Sequence, residues 1–376
     1  MTHLMLAASV LSLAGSVIAE TWTVDDDGPA DFDNIQAAVD AAEHDDEIIV
    51  SPGTYTGDGN YVVNMNGKRI TLRSSGSYLD TIIDGEATRG CIQCTSGEDA
   101  QTSIQNFTLT GGLANDGGGI LCISSSPTLK DCLITSNEAH VSGGGIFVSN
   151  GNPSLDDCRI YFNECPTFGG GLYLYNSNAT IISTEIFYND ARNGGGLSCF
   201  ASDNIRMAQC YLFGNTADET GGGARINSSK VSLSFCSAVS NSCMQDGGGI
   251  YVEGSSSLNF ASCVISENTS EENGGGYYAA PWDDVEATMT DCTIKTNTAA
   301  EFGGGISSSW ANKLWLVGTT VCGNVPDQVS GGITNISAFI YYSGNCPEGC
   351  PGDVDENGSV SLTDILVVLE NWGPCP

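Results

Sequence analysis

The sequence predicts an all-β solenoid, in which each turn of the chain stacks on the one before it through parallel strands. Two observations carry this prediction: a glycine triplet recurs every 25 to 29 residues, and an asparagine usually stands six residues ahead of it. A fixed period of this length is typical of repeat architectures. The triplets begin at Gly117, Gly143, Gly169, Gly194, Gly221, Gly247, Gly274 and Gly303, and a partial copy, Ser330-Gly331-Gly332, follows them.

Each repeat also contains short apolar runs separated by turn residues, which is the pattern of β-strands. Residues 132–134 and 145–148 form two such runs, and no helical periodicity lies between them. Stacking successive repeats in parallel pairs all of these strands. Neighbouring coils then lie about 4.8 Å apart, so equivalent residues form columns along the axis. The repeats predict about eleven coils.

The asparagines and glycines have structural roles in such a stack. Glycine permits a positive φ and a close backbone approach where the coil turns sharply. Asparagines in register can hydrogen-bond along their column and satisfy buried turn groups. We therefore interpret this column as structural rather than catalytic; its members are Asn137, Asn163, Asn189, Asn215, Asn241, Asn268 and Asn297.

A cysteine column precedes the asparagines. In-register side chains point the same way, which leaves their Cβ atoms rather far apart for disulfides. We favour reduced thiols packed inward, with bridging as the alternative, and a straight column does not suit tetrahedral metal binding. The column contains Cys132, Cys158, Cys210, Cys236, Cys263 and Cys292, with Thr184 in its one gap.

The pattern N-x(5)-GGG-[IL] resembles the right-handed parallel β-helix of the pectin-lyase-like superfamily, and most closely the repeats of polymorphic outer-membrane proteins. Residues 23–57 are similar to the amino-terminal segment of that superfamily. Within them, Ile35, Ala38, Val39 and Ala42 follow helical spacing, which predicts a helix that caps the first coil. The resemblance implies a right-handed parallel β-helix over about residues 20–345, a fold that carries many functions.

The tail, residues 346–376, differs from the repeats. Oxygen-bearing residues occupy positions 1, 3, 5, 7, 9 and 12 of a calcium loop, and Gly358 supplies its sharp turn. An aspartate at position 12 resembles dockerin repeats, which implies a cohesin-like or sorting partner, although a complete dockerin has two such repeats. Cys350 with Cys375 is the favoured disulfide, and Cys322 with Cys346 the second choice. The predicted calcium ligands of this EF-hand-like tail are Asp353, Asp355, Asn357, Ser359, Ser361 and Asp364.

Composition limits the possible partners and locations. Against 12 Lys and Arg stand 45 Asp and Glu, a formal charge of −33, which disfavours nucleic acid and anionic lipid. Residues 1–19 have the apolar segment and small terminal residues of a signal peptide. The remaining sequence has no apolar run long enough for a membrane helix. We expect a secreted protein, either extracellular or at the cell surface.

Catalytic signals are weak. The sequence has no Asn-Thr-Asp followed by paired Asp and Gly-His-Gly, the motifs that a pectinolytic resemblance would require. Four arginines in the coils are interpreted as solvated face residues. Acid pairs occur at Asp156-Asp157 and Asp283-Asp284; the second, near Trp282, Tyr277 and Tyr278, is either a sugar-binding loop or a solvated turn. The arginines are Arg159, Arg192, Arg206 and Arg225.

One column favours ligand binding. The residue four after each first glycine should point outward, and aromatic residues there would form platforms for sugar rings or pack against a flanking loop. The predicted carbohydrate-binding residues are Phe147, Tyr173, Tyr251 and Tyr278. The leading hypothesis is therefore an adhesin-like, non-catalytic module that binds polysaccharide or cell-envelope components. The alternative is a polysaccharide lyase or glycoside hydrolase in polysaccharide catabolism. The full column reads Leu121, Phe147, Tyr173, Ser198, Arg225, Tyr251, Tyr278 and Ser307.

Overall fold

The computed structural model describes residues 19–281 and 283–341. Nearly all of the predicted signal peptide, Trp282, and Cys346, Cys350 and Cys375 lie outside these residues. So does every predicted calcium ligand of the tail: Asp353, Asp355, Asn357, Ser359, Ser361 and Asp364.

The described chain forms a parallel β-helix with three sheets. Every strand pairing is parallel, and each strand pairs with the equivalent strand one coil away, as with Leu129 and Leu155. The first sheet is broad because most coils contribute two short strands to it, separated by a corner; Lys313–Cys322 is continuous and pairs with both strands of the preceding coil. Its leading strands are Thr21–Val24, Glu47–Val50, Thr71–Ser74, Ser103–Gln105, Thr128–Lys130, Ser154–Asp156, Thr180–Ile182, Ile205–Ala208, Lys230–Ser234, Ser257–Ala261, Glu286–Thr290, Lys313–Cys322 and Asn335–Tyr341.

The other strands follow in the same coils. The trailing strands of the first sheet are Gly53–Tyr55, Thr81–Asp84, Thr108–Thr110, Leu133–Thr135, Arg159–Tyr161, Glu185–Phe187, Tyr211–Phe213, Ser237–Val239, Val264–Ser266 and Thr293–Lys295. The second sheet contains Tyr61–Asn64, Gly90–Cys94, Ile120–Ile123, Ile146–Ser149, Leu172–Tyr175, Leu197–Phe200, Ala224–Asn227, Ile250–Glu253, Tyr277–Ala279, Ile306–Ser308 and Val329–Gly331. The third contains Leu113–Asp116, Glu138–Ser142, Glu164–Phe168, Asp190–Asn193, Thr216–Thr220, Ser242–Cys243, Thr269–Ser270 and Thr298–Ala299.

The predicted parallel solenoid is confirmed, with about 12 turns rather than about eleven. Most corners of the regular coils contain a residue with positive φ, a conformation that short polar residues and glycine adopt most readily. The inward residues of the first and second sheets build one continuous core along the axis, and Ala139, Cys165 and Ala191 of the third sheet form a separate small cluster. In the coil that begins at Thr128, the corner residues are Asp131, Ser136, Gly143 and Asn150.

The predicted helical segment forms the helix Ile35–Ala41. The side chain of Asn34 accepts a hydrogen bond from the backbone N–H of Ala37 at 2.8 Å and thereby caps the helix amino terminus. Ile35, Ala38 and Val39 are buried, and the helix contacts strands Thr21–Val24 and Tyr61–Asn64. Its role as a cap on the first coil stays a prediction.

The asparagine column forms the predicted hydrogen-bond ladder. The side chain of Asn215 donates to the Oδ1 of Asn241 at 2.9 Å and to the backbone oxygen of Ile186 at 2.9 Å. Its own Oδ1 accepts from both the backbone and the side chain of Asn189, at 3.0 Å each. The ladder extends beyond Asn297, because Asn324 takes the next rung.

The cysteines of the column are free and buried, as predicted. Burial raises the pKa of the Cys132 thiol to about 11, so this group stays a neutral thiol that packs as a small apolar side chain. Its Sγ donates to the backbone oxygen of Lys130 at 3.3 Å. Cys322, outside the column, is disulfide-bonded.

Candidate functional site

The outer face of the second sheet carries the predicted outward column. Residues of this column pair in register on six successive coils, in the order Phe147, Tyr173, Ser198, Arg225, Tyr251 and Tyr278. The residues on either side of each member point inward to the core, as strand alternation requires. The structure therefore brings the four predicted carbohydrate-binding residues into one line along the axis, as two pairs of rings separated by Ser198 and Arg225.

The two ring pairs differ in geometry and exposure. The ring centroids of Tyr251 and Tyr278 lie 5.3 Å apart with nearly parallel planes, at 12°, and both side chains are partly exposed. The rings of Phe147 and Tyr173 are 5.6 Å apart and tilted by 57°. The expectation of an exposed ring is wrong for Tyr173, which is only 9 % exposed. Phe168, from the adjoining third-sheet strand, lies 5.7 Å from it and covers part of its surface.

An ion pair occupies the space between the ring pairs. The Arg225 guanidinium donates to the Oε1 of Glu253, and Asn227 donates to the same oxygen at 2.7 Å. The Arg225 guanidinium also lies over the Phe168 ring, 5.1 Å from its centroid. The interpretation of Arg225 as a solvated face residue is therefore wrong, because an aromatic ring and a carboxylate enclose its charge. Both side chains of the pair are largely buried.

Burial is the main cause of the pKa shifts on this face. Burial raises the pKa of Tyr278 to about 12 and also raises that of Tyr251, so both hydroxyls remain neutral donors at physiological pH. Burial raises the pKa of Asp246 as well, although hydrogen bonds from Asn273 oppose the effect. The Asn273 backbone and side chain donate to the same Asp246 oxygen, at 3.0 and 2.9 Å. The face thus combines rigid rings with hydroxyl donors and carboxylate acceptors.

The predicted acid pairs do not extend this site. Asp284 and Glu286 flank the ammonium of Lys313, at 3.6 and 2.5 Å. Tyr277 points inward and is fully buried, so its ring is part of the core and unavailable to a ligand, contrary to the sugar-loop interpretation. Asp156 ends a leading strand of the first sheet, and Asp157 is the corner residue that follows it.

A second aromatic surface lies on the trailing strands of the first sheet and was missed by the sequence reasoning. We call it the aromatic patch; it consists of Tyr161, Phe162, Phe187, Tyr188, Tyr211 and Phe213. The signal was present in the sequence, because one or two aromatic residues precede the ladder asparagine in three successive repeats, as YFN, FYN and LFGN. The outward-column rule counted forward from the glycines and did not examine these positions.

Metal-ligating groups also occur near the amino terminus of the described chain. The carboxylates of Asp25, Asp26 and Asp27 offer ligand atoms that lie within 4.8 Å of one another. One oxygen of Asp25 already accepts hydrogen bonds from the backbone of Asp27 and Gly28, at 3.3 and 3.0 Å, which shapes this turn. Within the described residues, no helix is long and apolar enough to cross a membrane.

The chain belongs to the family described as "Right handed beta helix region", whose model matches residues 48–217, 90–261 and 145–321. This match covers more than half of the chain and confirms the predicted handedness. No curated protein matches the chain in sequence. The similarity to polymorphic outer-membrane protein repeats stays a prediction.

Solved structures with similar coils have low sequence identity. The pectate lyase Pel9A aligns with a TM-score of 0.46 and 14 % identity, over 88 % of this chain and 79 % of that one. Pectin methylesterase from carrot aligns with a TM-score of 0.38 and 12 % identity, over 88 % of both chains. The Azotobacter vinelandii mannuronan C-5 epimerase AlgE6 A-module gives 0.41 and 13 %, over 82 % and 91 %.

Proposed function

We propose that the protein binds polysaccharide or another glycan of the cell envelope, without catalysis, along the outer face of the second sheet. The observation that carries this proposal is the line of rings on successive coils with an ion pair between them. Aromatic rings bind the apolar faces of sugars, and they lose little entropy on binding because each has only two rotatable bonds. Burial restricts these rings further before any ligand arrives.

The polar groups of the face complement the rings. The hydroxyl of Tyr251 donates to the Oε2 of Glu253 at 3.4 Å, and that of Tyr278 hydrogen-bonds to Asp246, so both hydroxyl oxygens can accept hydrogen bonds from sugar hydroxyls. The carboxylate of Glu253 is held by Arg225 and Asn227, so its remaining acceptor positions have a fixed direction. Such fixed polar groups beside an apolar surface select the orientation of a bound sugar chain.

The test replaces both tyrosines of the better-exposed pair. Serine occupies the same column position at Ser198 and Ser307, so Tyr251→Ser/Tyr278→Ser imports a residue that the coils already accommodate. We expect binding to soluble polysaccharides in affinity gel electrophoresis to weaken about tenfold, as the loss of about 1.4 kcal/mol of ring contact implies. The panel contains xylan, β-glucan, alginate and polygalacturonate.

The control for this test is Phe235→Ser. Phe235 is an exposed aromatic residue at a corner of the first sheet, where other coils have Ser183 and Ser262. This variant should bind as the unmodified chain does. Equal retention of the double variant, or equal loss in the control, would refute binding at the second sheet.

A polysaccharide lyase or glycoside hydrolase is the second candidate function. It is favoured by Asp246, a half-buried carboxyl group whose pKa is raised by burial, because a general acid needs such a shift. The same polysaccharide panel distinguishes the two functions. If the unmodified chain releases reducing ends or unsaturated products and Asp246→Asn does not, the protein is an enzyme and the non-catalytic proposal is wrong.

Calcium binding by the tail is part of the proposal and rests on the spacing of its oxygen ligands. Asp353→Ala removes the first ligand of the loop, and we expect one calcium site to disappear in isothermal titration calorimetry. Melting of the β-helix should change little, since the tail is separate from the repeats in sequence. Unchanged calcium stoichiometry would count against the site. The tail is proposed to serve a cohesin-like or sorting partner of a secreted protein.

A further inference from the structure

The aromatic patch is an ordered array of rings on three successive coils. Tyr161, Phe187 and Phe213 pair in register down one column of the trailing strands. The rings of Tyr161 and Phe187 are 4.6 Å apart at 17°. In the next column, Phe162 and Tyr188 are corner residues with positive φ, and their rings are 5.6 Å apart at 12°. The patch therefore spans about 10 Å along the axis at the usual strand spacing.

The patch presents these rings to solvent. Phe162 is 57 % exposed, Tyr188 45 % and Tyr211 38 %. The equivalent corner position holds Ser136 and Ser240 in nearby coils, so the coil itself does not require a ring there. Glycine at 214 leaves room for the Tyr188 ring, because a Cβ at that position would collide with the ring edge. Contiguous exposed aromatic surface of this kind marks an interaction site.

Polar side chains lie beside the rings of the patch, and two of them form an ion pair. Arg159 precedes Tyr161 on its strand and pairs with the Oε2 of Glu185 at 3.1 Å. It also donates to the hydroxyl of Tyr78 at 2.5 Å. In register, Glu185 is followed by Tyr211 on the next coil. The guanidinium of Arg159, the carboxylate of Glu185 and the phenol of Tyr211 thus lie in register beside the column of rings, where they offer polar groups to a ligand.

Charge decides which partner suits this surface. Arg159 and Glu185 neutralise each other, and the carboxylate of Glu267, which also acts electrostatically on Tyr211, adds negative charge at the edge of the patch. The whole chain carries a formal charge of −33, which repels acidic polymers, anionic membranes and a second copy of the chain. A neutral polymer avoids this repulsion. Neutral polysaccharides also offer apolar C–H faces to rings and hydroxyls to the polar line.

We propose that the aromatic patch is a separate binding site for a neutral polysaccharide chain, on a different sheet from the face discussed under the proposed function. The two sites use different residues, and the patch does not depend on the second-sheet site. A protein molecule that bound one polysaccharide molecule at each of the two sites would cross-link those polysaccharides.

The experiment uses the full chain and the triple variant Phe162→Ser/Tyr188→Ser/Tyr211→Ser. Serine stands at the equivalent positions in neighbouring coils, at Ser136, Ser240 and Ser237, which protects the fold. Binding is measured by depletion from solution onto insoluble cellulose and insoluble β-1,3-glucan, with polygalacturonate covalently coupled to beads, in calcium-free buffer, as the acidic comparison. We expect the unmodified chain to bind at least one neutral polymer and the triple variant to bind it at least tenfold more weakly.

The matched control is Trp310→Ser, which removes another exposed aromatic residue several coils away. It should bind like the unmodified chain. Combining the triple variant with Tyr251→Ser/Tyr278→Ser should weaken binding further than either variant does alone, because losses at two independent sites add, and this separates the patch from the second-sheet site. The proposal is overturned if the triple variant binds neutral polymers as well as the unmodified chain does, or if the unmodified chain binds neither. It is also overturned if analytical ultracentrifugation shows a dimer that the triple variant abolishes.

Discussion

Replacing Asn215 by alanine should destabilise the β-helix by about 3–6 kcal/mol, since several buried polar groups would lose partners that each contribute about 1–3 kcal/mol. The backbone N–H of Asn189 loses its acceptor, and the Asn189 side-chain amide loses one of its two acceptors and keeps only the backbone oxygen of Ile160. The carbonyl of Ile186 loses the donor that Asn215 supplies. Water cannot replace these partners, because the whole rung is buried. Urea unfolding followed by circular dichroism measures the effect.

Asn176→Ala is the matched control for the ladder. Asn176 also donates its side-chain amide to an asparagine one coil away, Asn150, at 2.6 Å, but that pair is exposed. Alanine already occupies the same corner position at Ala201, with a similar positive φ. We expect a loss below about 1 kcal/mol, as for other surface substitutions. Comparable losses in the two variants would show that burial does not determine the contribution of the ladder.

Gly195→Ala should be at least as damaging, by about 3 kcal/mol or more, for a steric reason. A Cβ on Gly195 would collide with the backbone oxygen of Thr216 on the next coil and would lie 2.8 Å from the backbone oxygen of Gly222. Neither oxygen belongs to a movable side chain, so relief requires separation of the coils. Overpacking of a well-packed core costs about 1–3 kcal/mol, and occasionally more where the backbone itself must move. The midpoint of urea unfolding and the yield of soluble protein report the effect.

Gly97→Ala separates steric collision from backbone strain. Gly97 has a φ of 86°, a value that disfavours alanine, yet a Cβ there would meet no atom within 4 Å. We expect a loss of about 1–2 kcal/mol from strain alone. If Gly195→Ala proved no less stable than Gly97→Ala, steric collision between coils would not be the reason that the middle residue of each triplet is glycine.

The repeat and its columns could be predicted from the sequence because parallel stacking converts a period along the chain into proximity in space. Asn163 and Asn189 are far apart in sequence, but the coil brings them into direct hydrogen bonding. The same logic placed Tyr251 opposite Tyr278. It also placed the cysteines in one buried column, although they lie at the corners between the leading and trailing strands and so outside the alternation of either strand.

Which outward-pointing side chains are covered by their neighbours could not be predicted in this way. Alternation says that Tyr173 points out of the second sheet, but it does not say that Phe168 from the adjoining strand lies against it. The enclosure of Arg225 depends on the same ring. These contacts cross between sheets, where the angle of the corner and the length of a neighbouring side chain decide what is covered. The aromatic patch was missed for a simpler reason, since its residues were not considered as columns.

The asparagine ladder has a direction, and it ends within the chain. Each side chain donates to the next coil, so a growing stack always has a last rung whose donors await an acceptor. At Asn324 that acceptor comes from the same turn of chain: the Oε1 of Gln328 accepts from the Asn324 backbone at 3.1 Å and from its side chain at 2.8 Å. The longer glutamine side chain thereby supplies what a further coil would have supplied. It therefore ends the ladder, because the backbone and side-chain donors of Asn324 are satisfied without an asparagine on a further coil.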